Sequence, residues 1–109
     1  MAFDQALAAR VRKTLAERND VVEKAMFGGL TFMVADKMCC GIIKDELMIR
    51  LAPSTDVSEL GSPDVRVCDF MKKPMRGFFQ VNAKGCLDQK NVARWVRLAL
   101  SYTLSLPHK

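Results

Sequence analysis

Six cations in the second half of the chain are the residues whose types and spacing could do chemistry. Lys72, Lys73 and Arg76 lie in the segment Met71-Lys72-Lys73-Pro74-Met75-Arg76-Gly77, immediately before Phe78 and Phe79. Cations next to aromatic rings neutralise phosphates and stack bases. The same pattern also suits a solvated hairpin tip beside two strand residues, and basic clusters produce many false matches. Lys90, Arg94 and Arg97 recur at i, i+4, i+7, which puts them on one stripe of a helix, turned away from Trp95 and Val96. Taken alone, that stripe is the wet side of an amphipathic helix. Together the two groups make a nucleic-acid or acidic-partner surface if the fold brings them side by side.

Other chemistries find few residues. The single histidine, His108, is penultimate, and the acids Asp36, Asp45, Glu46 and Asp69 fall in or near turns with no histidine to pair with. No general acid–base pair assembles, so the sequence indicates no enzyme, no catalytic residue and no cofactor. Four cysteines form no C-x-x-C pair. Cys39 and Cys40 are adjacent, and neighbouring strand residues point to opposite faces, so they are not expected to chelate one metal. Cys40 is expected to be buried, along with Cys68, and Cys39 to be exposed and open to oxidation. Gly28-Gly29 lacks the spacing of a phosphate-binding turn and precedes a strand instead of a helix.

Around these residues the chain has the makings of one domain spanning 1–109. Half of its residues are hydrophobic and 27% are charged, which excludes disorder as the ground state. No apolar run is long enough for a bilayer, and the N-terminus lacks a basic stretch followed by an apolar one, so a cytoplasmic location without membrane contact is expected. The net charge of +5 is uneven: residues 66–109 hold nine Lys/Arg and only two acids. That asymmetry points to an acidic partner for the C-terminal half.

The elements that must position the cations follow from periodicity. Asp4 caps a helix reaching to about Arg18, with Leu7, Val11 and Leu15 as its apolar stripe, Phe3 extending it, and Arg10 and Lys13 on a solvated face. Val21 to Ala25 leads to the Gly28-Gly29 pair, which allows a tight bend or a close backbone approach. Three antiparallel strands follow, roughly 30–35, 38–43 and 46–51, joined by short turns at 35–37 and 44–45. Leu47, Ile49 and Leu51 supply the buried face of the third. Both faces of the second and third strands carry apolar groups, so one face should lie under helices and the other meet a second chain, as in a sheet-joined homodimer. Pro53 to Gly61 reads as a short helix capped by Ser54 or Thr55. Residues 65–68 and 77–81 read as two more strands. Asp88 caps the last helix, with a Leu87–Val92 staple, a face of Val92, Trp95, Val96, Ala99 and Leu100, and Pro107 as its end. The methionines are core filler, some of them available to a partner surface. The order predicts a two-layer α+β domain with helices on a mainly antiparallel five-stranded sheet.

Met26-Phe27-Gly28-Gly29, then Lys37-Met38, Leu47 to Arg50, Lys73-Pro74-Met75-Arg76-Gly77-Phe78, and Trp95-Val96 with Ser105-Leu106-Pro107 together resemble the N-terminal domain of the TfoX/Sxy family of competence regulators. The resemblance covers nearly the whole chain. It implies a secretion-chaperone-like fold, α-β(3)-α-β(2)-α, and a structural role for Met26, Phe27, Gly28, Gly29, Lys37, Pro74, Gly77 and Phe78. It also implies regulation of DNA uptake with transcriptional machinery as partner. Full-length members carry a second, C-terminal domain, which this sequence does not include.

Overall fold

Asp4 starts the first helix by a local device. Its carboxylate accepts the backbone N–H groups of Ala6 (2.8 Å) and Leu7 (3.2 Å), two donors that a helix N-terminus otherwise leaves unpaired. The computed structural model describes residues 3–26, 29–68 and 77–106. Along them run α1 (Gln5–Thr14), β1 (Val21–Met26), β2 (Gly29–Val34), β3 (Lys37–Ile43), β4 (Glu46–Arg50), a 3₁₀ turn (Val57–Leu60), β5 (Val65–Val67), β6 (Phe78–Val81), a second 3₁₀ turn (Ala83–Cys86) and α2 (Gln89–Ser105). Among the described residues six strands form one sheet in the order β1-β2-β3-β4-β6-β5, every pair antiparallel. The α+β class is as expected, while the count of five strands is corrected to six.

The added strand is β1. Val21-Val22-Glu23-Lys24-Ala25 has no clean apolar alternation because β1 is an edge strand whose middle residues are exposed. Glu23 faces the helix side, where Arg12 of α1 grips it through two 2.8 Å hydrogen bonds. The helix expected over residues 53–61 shrinks to the Val57–Leu60 turn. Its cap is Asp56, not Ser54 or Thr55: the Asp56 carboxylate accepts Ser58 N–H, and Glu59 reaches back to the Asp56 N–H in a capping box. Gly61 ends it at φ 63°. Helix α1 stops at Thr14, and Ala16 and Arg18 continue as looser turns onto the Lys13 and Leu15 carbonyls. Arg10 is not simply solvated, since its guanidinium donates to the Cys86 carbonyl at 3.2 Å.

One core joins helices and sheet. Leu7, Val11 and Leu15 of the α1 region and Val92, Trp95, Val96 and Ala99 of α2 pack on Leu30, Phe32, Ile42, Leu47, Ile49, Phe79 and Val81. The period-2 pattern of β2, β4 and β6 is thereby explained. Leu87 is 67% exposed, so it does not form the staple expected with Val92.

The adjacent cysteines break strand alternation for a specific reason. Phe32 pairs with Cys40 and Met33 with Met38, leaving Cys39 as the extra residue of a β-bulge. The bulge lets Cys39 and Cys40 both join the core, each 0% exposed. The expectation of an exposed, oxidisable Cys39 is therefore corrected, and Cys68 and Cys86 are buried too. The Cys40 thiol is pushed well up by its neighbour Cys39 and by burial.

Cys86 supplies a pH handle. Burial pushes its thiol up from an ordinary value of 9.0 to about 11. The folded state then holds a proton that the unfolded state has released, so stability present below pH 9 is lost as pH rises towards 11. The loss comes to roughly 2–3 kcal/mol. Cys86→Ala should flatten this part of the urea-midpoint profile; identical slopes in both proteins would contradict the assignment.

The two-residue turn between β2 and β3 holds Ala35 at φ 51° and Asp36 at φ 66°. Positive φ at both central residues matches strand twist in a hairpin, but alanine is a poor occupant. Ala35→Gly is expected to stabilise the fold by about 1 kcal/mol, read as a raised denaturation midpoint. An unchanged or lowered midpoint would show that the turn is unstrained.

The sheet face away from the helices is not an open apolar surface at its centre. Thr31, Met48 and Gln80 are all buried there. Gln80 donates to Glu46 at 3.0 Å, and Arg66 bonds the same carboxylate at 2.7 Å. Among the described residues, the large apolar groups exposed on the sheet lie on its two edge strands, Val22 of β1 and Val67 of β5.

Candidate functional site

Helix α2 positions the site. Asp88 accepts the Asn91 N–H at 2.7 Å and fixes where the helix begins. Val92, Trp95, Val96, Ala99 and Thr103 then point inward, and Thr103 returns its hydroxyl to the Ala99 carbonyl at 2.8 Å. With that face committed to the core, helical spacing turns Lys90, Arg94 and Arg97 outward together, and all three are exposed.

Arg94 is held in place. Its guanidinium donates to the Leu60 carbonyl at 2.8 Å and lies 4.6 Å from the centroid of the Trp95 ring. Leu60 closes the first 3₁₀ turn, so Arg94 satisfies a terminal carbonyl there and ties that turn to α2. Between turn and helix runs a groove of about 490 Å³ lined by Glu59, Leu60, Arg94, Arg97, Leu98 and Ser101. Leu98 is 39% exposed and Leu104, further along α2, 48%. The arrangement can hold anionic groups against an apolar floor.

The structure brings together half of the cations singled out in the sequence. Lys90, Arg94 and Arg97 share the α2 face, whereas Lys72, Lys73, Pro74 and Arg76 lie outside the described residues. Leu60, Glu59 and Leu98 were missed. Leu98 carried a usable signal, a leucine four residues after Arg94 and off the apolar arc, but its place in one groove with Leu60 is a tertiary fact. Among the described residues, no three His, Cys, Asp or Glu side chains group to hold a metal ion. None of the described helices is long and apolar enough to cross a membrane.

The family model of the TfoX N-terminal domain matches residues 13–102. This chain belongs to the TfoX N-terminal domain family. Searches of curated proteins and of solved structures returned no match. In this TfoX N-terminal domain the motif residues have distinct places. Met26 of β1 pairs with Gly29 of β2, and Phe27 and Gly28 lie outside the described residues. Gly29 is packed against the Ile42 carbonyl of β3, with no room for a side chain. Lys37 opens β3 opposite Val34. Gly77 sits at φ 84° and accepts the Leu51 N–H at 2.7 Å. Phe78 pairs with Arg50, whose guanidinium lies 6.0 Å from the Phe78 ring and 5.9 Å from that of Tyr102. Arg50 thus bridges Phe78 of β6 and Tyr102 of α2, and none of the described motif residues lines the groove.

Proposed function

We propose that this TfoX N-terminal domain is a small regulatory module that acts by protein contact through the exposed face of α2, with transcriptional machinery as its partner. The observation that carries the reading is the mixture on that face: Lys90, Arg94 and Arg97 share it with the exposed Leu98 and Leu104. Arginines among apolar groups are the composition of protein interfaces. A nucleic-acid backbone rewards the cations and leaves the leucines in water. Competence regulation, the family's implied role, is the process in which such a module would serve.

The test is affinity capture from nuclease-treated cell extract, comparing the wild-type chain with a Lys90→Glu/Arg97→Glu variant. Proteins held by the wild type and lost from the variant support the reading. Capture that disappears with the nuclease favours direct, weakly specific nucleic-acid binding instead.

A further inference from the structure

We infer that the groove between the Val57–Leu60 turn and α2 receives a short acidic segment of a partner protein, one that carries an apolar side chain between carboxylates. The inference rests on the protein-contact reading above and names the chemistry of the partner.

Three features of the groove specify the occupant. Its size of about 490 Å³ suits a few side chains and not a globular surface. Its apolar contacts are Leu60, which is buried, and Leu98, which keeps 39% of its surface in solvent. An apolar side chain laid across them would remove that surface from water. Its cations are arranged for carboxylates. Arg94 is pre-oriented by the Leu60 carbonyl and the Trp95 ring, and that hydrogen bond uses one of its five N–H donors. Arg97 follows at i+3, about 5–6 Å away along the helix, the spacing of two acids on successive turns of a helical segment. Carboxylates meet arginine forks in two parallel hydrogen bonds, which adds direction to attraction.

Glu59 decides against a nucleic acid. It lines the same groove, and its carboxylate already accepts the Asp56 N–H at 3.1 Å. A phosphate backbone presents an unbroken row of negative charge that would run past Glu59 as well as the arginines. A peptide can place its acids on the α2 side and a neutral residue beside Glu59.

The test uses fluorescence anisotropy with a fluorescein-labelled peptide in which a leucine is flanked on each side by glutamates, titrated with the full chain. A peptide with serine in place of that leucine and a labelled DNA duplex serve as comparisons. The leucine peptide should bind the wild-type chain, with the serine peptide at least about tenfold weaker. Arg97→Glu and Leu98→Asp should each weaken it by a further factor of about ten or more. Val22→Glu, on the far edge of the sheet, should leave it unchanged. Both groove residues are exposed, and far-UV circular dichroism verifies that the variants fold.

Equal binding by wild type, Arg97→Glu and Leu98→Asp would overturn the groove assignment and leave protein contact standing on another surface. Absence of peptide binding together with nuclease-resistant capture would do the same. A duplex that displaces the peptide, joined to capture that fails after nuclease treatment, would overturn both.

Discussion

Gly29→Ala is expected to abolish the folded state or bring it close to unfolding, at a cost of about 4 kcal/mol or more. A Cβ at Gly29 would overlap the Ile42 carbonyl oxygen, with Ile42 C at 3.2 Å and Ile43 Cα at 3.4 Å behind it. All three atoms are backbone of β3, so no rotamer change relieves the overlap. The strands themselves must separate, and the Leu30–Ile42 pair next to the clash resists that. Domains of this size have roughly 5–15 kcal/mol of stability in total. Gly61→Ala makes the useful comparison: nothing lies within 4 Å of its Cβ position, and only its φ of 63° is unfavourable, worth about 1–2 kcal/mol. Urea midpoints by circular dichroism should therefore rank wild type, Gly61→Ala and Gly29→Ala in that order. A Gly29→Ala chain as stable as Gly61→Ala would mean that β2 and β3 do not approach closely there.

Phe32→Ala is the second large effect, expected to cost about 3–5 kcal/mol. Phe32 is fully buried in the middle of β2, between Glu23 of edge strand β1 and Cys40 of β3. It sits where the β3 bulge begins, so the walls of the cavity it would leave are fixed by an irregular ladder and cannot simply close. Phe32→Leu keeps most of the volume and should cost markedly less, about 1–2 kcal/mol. Thermal melts of the two variants check this. Equal losses from leucine and alanine would point to a collapsing site, not a rigid core.

What could be read from the sequence was what is decided locally. Asp4 and Asp88 announce their helices because a capping carboxylate acts within three residues. Leu7, Val11 and Leu15 mark a buried stripe because a helix repeats within four. The strand over roughly 46–51, found at Glu46–Arg50, and the β2 alternation could be read for the same reason. β1 could not, because an edge strand exposes both kinds of residue and Glu23 owes its place to Arg12, eleven residues away. Cys39 could not, because alternation holds only until a bulge inserts a residue. The stripe of Lys90, Arg94 and Arg97 was visible as a helical repeat, but its meaning depends on Leu60, brought alongside by a turn 34 residues upstream of Arg94. Half of the site was thus periodic and readable, while the groove that gives it chemistry is a product of tertiary packing.

The most direct measurement is a salt titration of binding to a generic labelled DNA duplex by fluorescence anisotropy, run on the wild-type chain and on Lys90→Glu/Arg97→Glu. If α2 is a protein-contact face, binding near physiological salt should be no tighter than about 100 μM, the weak end of the non-specific range, and the variant should behave almost as the wild type does. Low-micromolar binding that falls with salt as several phosphate contacts require, and that the double variant loses, would contradict the account and make α2 a nucleic-acid interface.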